Sequence, residues 1–115
     1  MTSQIHANIS VRIFTDAKCF GPGLAELLTR VDEYSSLRKA AQSMKMAYSK
    51  AWTILHNSEE ALGFRLLDMK TGGRGGGGAV LTEEGRRMLT AYRSYCEKLK
   101  TYSDSIFEEE FSFLS

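Results

Sequence analysis

Ser49, Thr53 and His56 are spaced by four and three residues, so a helix through this stretch carries all three on one face, flanked by Lys50 and Trp52. Hydroxyls, an imidazole and a lysine are short-range hydrogen-bonding groups with a basic bias, and no acidic residue interrupts them before Glu59 and Glu60. Such a face suits the edges of base pairs in a DNA major groove. Arg38, Lys45, Lys50 and Arg74 are the cations assigned to phosphates, a contact that needs charge more than shape. Taken alone, a polar helix face is ordinary solvated surface. Its neighbours in the chain give it direction.

Other chemistries are poorly served. Six glycines and Arg74 between Thr71 and Gly78 invite comparison with a nucleotide-binding loop, but that loop requires a Lys followed by Ser or Thr at a helix start. Here Gly78 is followed by Ala79 and Val80. Cys19 and Cys96 match no metal-binding spacing and read as buried or partly buried thiols, and His6 and His56 are not expected to ligate metal. No paired carboxylates and no nucleophile with an adjacent base occur in a plausible pocket. The expectation is no enzyme, no cofactor and no metal.

The elements that must hold the polar face run from Ser36 to Thr82. Leu37, Ala40, Ala41 and Met44 recur at helical spacing, and the two alanines let another helix approach closely. After a turn at Lys45-Met46, a second helix is expected to bury Ala47, Ala51, Ile54, Leu55, Ser58, Ala61 and Leu62, with Tyr48 and Trp52 at the edges of that stripe and Trp52 bracing the helix rather than reading a base. Gly63 is placed to end it in a left-handed conformation. Phe64–Met69, the glycine stretch and Ala79–Leu81 then read as a hairpin, because glycine supplies the positive φ of a tight reversal and lets backbone approach a phosphodiester chain.

The 115 residues allow one domain, with 43% hydrophobic and 25% charged residues, as in ordinary globular proteins. No apolar run approaches membrane-spanning length and no signal-peptide pattern opens the chain, so an intracellular, cytoplasmic protein is expected. The net charge of +1 is uninformative, but its distribution is not. Residues 36–87 hold nine basic and five acidic side chains, whereas four acidic residues and no basic ones follow Lys100.

Around this centre, Met1–Ala7 carry no pattern, and fraying is expected there. Ile9–Ile13 alternates as a half-buried strand that could join the hairpin as a third strand, and Asp16–Gly21 reads as a loop. Pro22 opens a helix with Leu24, Leu27, Leu28, Val31 and Tyr34 on one stripe, and Ser35 or Ser36 can cap the next. From the cap Thr82 a helix of about seven turns carries Met88, Tyr92, Tyr95, Leu99, Tyr102 and Ile106 in a heptad-like seam. Such a seam serves a homodimer, or else folds back on its own domain. The fold class is mainly α with a small β-sheet, a winged helix-turn-helix over residues 1–81 (helix-turn-helix 36–62, wing 64–81) and a long C-terminal dimerisation helix with an acidic tail over residues 82–115. A winged helix that serves only protein docking or dimerisation is the competing class, distinguished by whether the face carrying Ser49, Lys50, Thr53 and Arg74 is open and positive on a dimer or occluded by a partner.

Gly21-Pro22-Gly23, Ala40-Ala41, Met46–Trp52 and above all the glycine wing running into Ala79-Val80-Leu81-Thr82 resemble the N-terminal domain of the molybdate-responsive transcription regulator family (ModE). The resemblance covers most of residues 8–110. The Ala-Ala pair, the Leu-Gly before the strand and Leu81-Thr82-Glu83-Glu84-Gly85 are also similar to LysR-type winged helices. It implies a dimeric regulator of double-stranded DNA, with Ser36, Tyr48, Ser49, Lys50, Thr53 and Arg74 facing DNA. Full-length members bind the oxyanion through further β domains after the long helix. The expectation for these residues is therefore DNA binding without that sensor, leaving constitutive binding, another effector or a separate sensor protein as alternatives.

Overall fold

A computed structural model describes residues 5–70 and 78–114. In order they form β1 (Ile13–Phe14), β2 (Lys18–Phe20), α1 (Pro22–Tyr34), α2 (Leu37–Ser43), α3 (Tyr48–Leu62), β3 (Leu67–Met69), β4 (Ala79–Leu81), α4 (Glu83–Glu110) and a 3-10 turn at Ser112–Leu114. The arrangement is a winged helix-turn-helix with a long C-terminal helix. Among the described residues no helix is long and apolar enough to cross a membrane.

Local chemistry sets each boundary. Pro22 starts α1 because its fixed φ suits the first helical position, and Ser35, at φ 55°, ends it. Ser36 then caps α2, its Oγ accepting the Lys39 N–H at 3.1 Å. Leu24, Leu27, Leu28 and Val31 of α1 meet Leu37, Ala40 and Ala41 of α2 in the core. Arg30 reaches from α1 to the end of α2, donating to the Ser43 carbonyl at 3.0 Å and to its Oγ at 2.9 Å. The turn into α3 closes with Met46 N–H on the Ala41 carbonyl at 2.9 Å and puts Lys45 in the left-handed region at φ 55°. Gly63, at φ 84°, ends α3 as its lack of a Cβ allows.

The wing is the antiparallel pair β3–β4, with Leu67 opposite Leu81 and Met69 opposite Ala79. Thr82 welds it to α4. Its hydroxyl donates to the Arg65 carbonyl at 2.6 Å and accepts the Gly85 N–H at 2.8 Å, while its own amide donates to the Leu66 carbonyl at 3.0 Å. A Cβ at Gly85 would lie 2.1 Å from the Leu66 carbonyl oxygen, so glycine is required for this approach.

Several expectations need correction. The N-terminal strand is only two residues long and does not extend the wing sheet. It pairs instead with β2, inside the stretch read as a loop, because Cys19 and Phe20 bury their side chains and the nearby partner costs little loop closure. Tyr34 falls at the last residue of α1, where the stripe has run past the core, and is 42% exposed. Ala47 precedes the first turn of α3 and Ala61 lies near its end; both are exposed.

The seam of α4 divides. Tyr92 is buried in its own chain, its hydroxyl donating to the Val11 carbonyl at 2.6 Å and its ring centroid 5.0 Å from that of Phe20. Burial, with the Cys96 thiol beside it, pushes the phenol up to about 12. Met88 also packs against the core. Tyr95, Tyr102 and Ile106 are exposed and Leu99 is half-buried, so the fold-back arrangement holds for the first turns of α4 and not for the later ones. Residues 97–110, about 21 Å of helix at its usual rise, leave the core and give the molecule extents of 60 × 35 × 22 Å. At the base, Arg86 holds Asp32 of α1 with contacts of 2.7 and 3.2 Å, keeping that carboxyl below its ordinary range.

Candidate nucleic-acid interface

α3 presents one face outward because Ala51, Leu55 and Ser58 point into the core. Ser49, Lys50 and Thr53 are exposed on the opposite side, and His56 is half-buried one turn further along. No acidic residue lies in the first turn of α3, so the positive end of the helix dipole adds to Lys50 rather than opposing it.

Trp52 departs from its expected bracing role. It is 44% exposed on the outward side, and its ring stacks on His56 with centroids 3.6 Å apart and planes at 33°. The tilted pair forms an aromatic step on the outward side of α3, of the kind that meets a thymine methyl or a sugar. Its position between Lys50 and Thr53 was the available signal.

Two of the proposed contact residues support each other across the helix-turn-helix. The Arg38 guanidinium sits 4.2 Å above the centroid of the Tyr48 ring, which orients the charge at the start of α2. Lys45 stands exposed in the turn between the two helices. Ser36 is half-buried and its oxygen is engaged as the α2 cap, so it shapes the start of that helix and retains a hydroxyl proton to donate. Arg74 lies outside the described residues, as does the tip of the wing.

Sequence reasoning missed Glu59. Placed at the far end of α3, it turns back instead of facing solvent. Oε2 accepts the amides of Leu66 and Leu67 at 2.7 and 3.3 Å, and Oε1 lies 3.6 Å from His56 Nδ1. One carboxylate therefore ties α3 to the root of the wing and stands beneath the Trp52–His56 stack. Nothing in a Glu-Glu pair announces a partner seven residues away. Among the described residues the His56 Nδ1 atom has no hydrogen-bond partner.

Comparison with known proteins bears on this surface. The profile of the bacterial regulatory helix-turn-helix protein, lysR family, matches residues 23–86. The chain is 30% identical over 89 residues to the transcriptional regulator ModE of Haemophilus influenzae, covering 77% of this chain and 34% of that protein. It is likewise 30% identical over 89 residues to the DNA-binding transcriptional dual regulator ModE of Escherichia coli K12, covering 76% and 34%. The molybdenum transport protein ModE of Azotobacter vinelandii is 32% identical over 68 residues, or 59% and 25%. The match thus spans about a third or less of the length of these curated relatives.

Proposed function

This chain belongs to the lysR-type family of bacterial regulatory helix-turn-helix proteins, with a ModE-like winged domain, and from that membership we propose that it binds a palindromic operator in double-stranded DNA as a homodimer. α3 enters the major groove, where Ser49, Thr53 and the Trp52–His56 step meet base edges, and Arg38, Lys45, Lys50 and Arg74 meet phosphates. The chain performs no enzymatic step in this reading. The observation that carries it is the open outward face of α3, polar, basic at its start and uncovered by any other element of the described chain.

The dimer part of the reading draws support from α4, whose Tyr95, Leu99, Tyr102 and Ile106 lie beyond the reach of their own core. Two such helices side by side would cover these side chains and make the pair two-fold symmetric, hence the palindrome. A separate sensor protein could reach the same apolar stretch. Selection from random duplex DNA by the purified chain tests the proposal, with Lys50→Ala and Arg74→Ala as controls. Recovery of a palindrome that both substitutions weaken is the expected result. A folded dimer that enriches nothing would make the chain a protein-docking winged helix instead.

A further inference from the structure

The His56 imidazole is held from two sides. Trp52, one helical turn earlier, covers a ring face with centroids 3.6 Å apart. Glu59, three residues later, brings Oε1 to 3.6 Å from Nδ1. The Nδ1 atom is buried and has no hydrogen-bond partner among the described residues, whereas the side chain as a whole is 44% exposed. The inner nitrogen therefore faces protein, and the open edge of the ring carries Nε2. Glu59 is itself anchored, because its Oε2 accepts the Leu66 and Leu67 amides at the root of the wing.

A neutral imidazole carries one proton on one of two nitrogens, and what each nitrogen faces decides which. A carboxylate accepts hydrogen bonds and cannot donate. With its lone pair on Nδ1, the ring would point a negative end at Oε1 across 3.6 Å, out of reach of solvent, where the low local dielectric strengthens the repulsion. A proton on Nδ1 turns the same contact into an attraction. Nε2 is then left with its lone pair, as an acceptor on the outward side of α3.

We propose that Glu59 fixes the His56 proton on Nδ1, so that Nε2 meets DNA as a hydrogen-bond acceptor and selects a base that offers an amino group, adenine or cytosine, over guanine. In the major groove the adenine and cytosine amino groups are the donors, whereas guanine and thymine present acceptors there. Glu59 acts through His56 and is a positioning residue for specificity, a role separate from its hold on the wing. The base selected rests on the DNA-binding function proposed above; the position of the proton does not.

The first measurement needs no DNA. Nitrogen resonances of the His56 ring in the isotope-labelled full chain, followed from neutral to alkaline pH until the ring holds a single proton, report which nitrogen keeps it. The Nδ1–H form is expected in the native chain, and a mixture of both forms in Glu59→Gln, whose amide can donate or accept. An Nε2–H ring in the native chain overturns the proposal. Selection from random duplex DNA is then compared among the native chain, His56→Ala and Glu59→Gln. One operator position should favour adenine or cytosine over guanine by about fivefold, the worth of one hydrogen bond. That preference should vanish in His56→Ala and narrow in Glu59→Gln, while other positions keep theirs. Guanine or thymine at that position, no position that answers to His56, or a loss in Glu59→Gln spread evenly over the operator overturns the inference and leaves the proposed function standing. A chain that enriches no duplex at all removes that function and the inference with it.

Discussion

Glu59 Oε2 accepts the Leu66 amide at 2.7 Å, so the carboxylate at the far end of α3 sets where the wing begins. Its other oxygen lies 3.6 Å from His56, which carries the stacked Trp52. The two parts proposed to face DNA are therefore positioned by one side chain. Glu59→Gln keeps the size but weakens two charge-assisted bonds, and is expected to lower unfolding free energy by about 1.5–3 kcal/mol in urea titration. DNA affinity should fall with it even at temperatures where the variant is fully folded. Native stability in Glu59→Gln would show that the amides find another partner.

Lys45 combines a strained backbone with a charge in the turn before α3. Its φ of 55° costs an L-residue roughly 1–2 kcal/mol relative to glycine, less the extra freedom glycine has when unfolded. Lys45→Gly should therefore be as stable as the native chain or more so, by up to about 1 kcal/mol, yet bind DNA more weakly. With Arg38, Lys45, Lys50 and Arg74 of two protomers on phosphates, about eight contacts give a log–log salt slope near −7, and losing Lys45 should bring it to about −5. A slope that stays near −7 would remove Lys45 from the phosphate contacts.

Tyr92 predicts the alkaline limit of stability. Its folded phenol is raised to about 12 from 10.0, chiefly by burial, so the folded state retains a proton that the unfolded state loses. The neutral phenol's contribution is complete below pH 10 and is lost as pH rises toward 12. Tyr92→Phe should unfold with a shallower dependence on pH in that window. At neutral pH it should be about 1 kcal/mol less stable, because the Val11 carbonyl loses its donor. Denaturant midpoints measured from pH 7 to alkaline conditions check both effects.

The exposed end of α4 separates association from folding. Tyr102 is 67% exposed and Ile106 40%, and neither belongs to the core cluster. Tyr102→Glu with Ile106→Glu should leave thermal unfolding of dilute protein nearly unchanged while shifting sedimentation from dimer to monomer. DNA affinity should then drop by orders of magnitude, since one half-site holds only half the contacts. Persistence of the dimer would assign the interface to another surface.

Much of this architecture is legible in residue spacing. Leu37, Ala40, Ala41 and Met44 mark α2, and Thr82 with Glu83 and Glu84 marks the start of α4, because caps and helical periodicity act over a few residues. The family resemblance likewise rests on contiguous motifs. What escaped depended on distant partners. Lys18–Phe20 is too short for a strand period to show, and only burial of Cys19 and Phe20 reveals it. Tyr92 and Tyr95 look alike along a helix, and only the arrival of Phe20 and Val11 distinguishes the inward one. Trp52 sits at the margin of the α3 stripe, where the neighbours decide exposure. The Glu59 bonds join groups whose meeting requires the finished fold.

The contact of Gly85 with the Leu66 backbone has a consequence for evolution of the target site. There is no slack where the wing meets the long helix, since even a methyl group would collide with a carbonyl oxygen. In a pair joined through α4, the separation of the two α3 helices is then a property of this joint, not of a pliable linker. Operators could drift in base sequence one contact at a time, but not in spacing. A change of one base pair between half-sites would demand a rebuilt hinge.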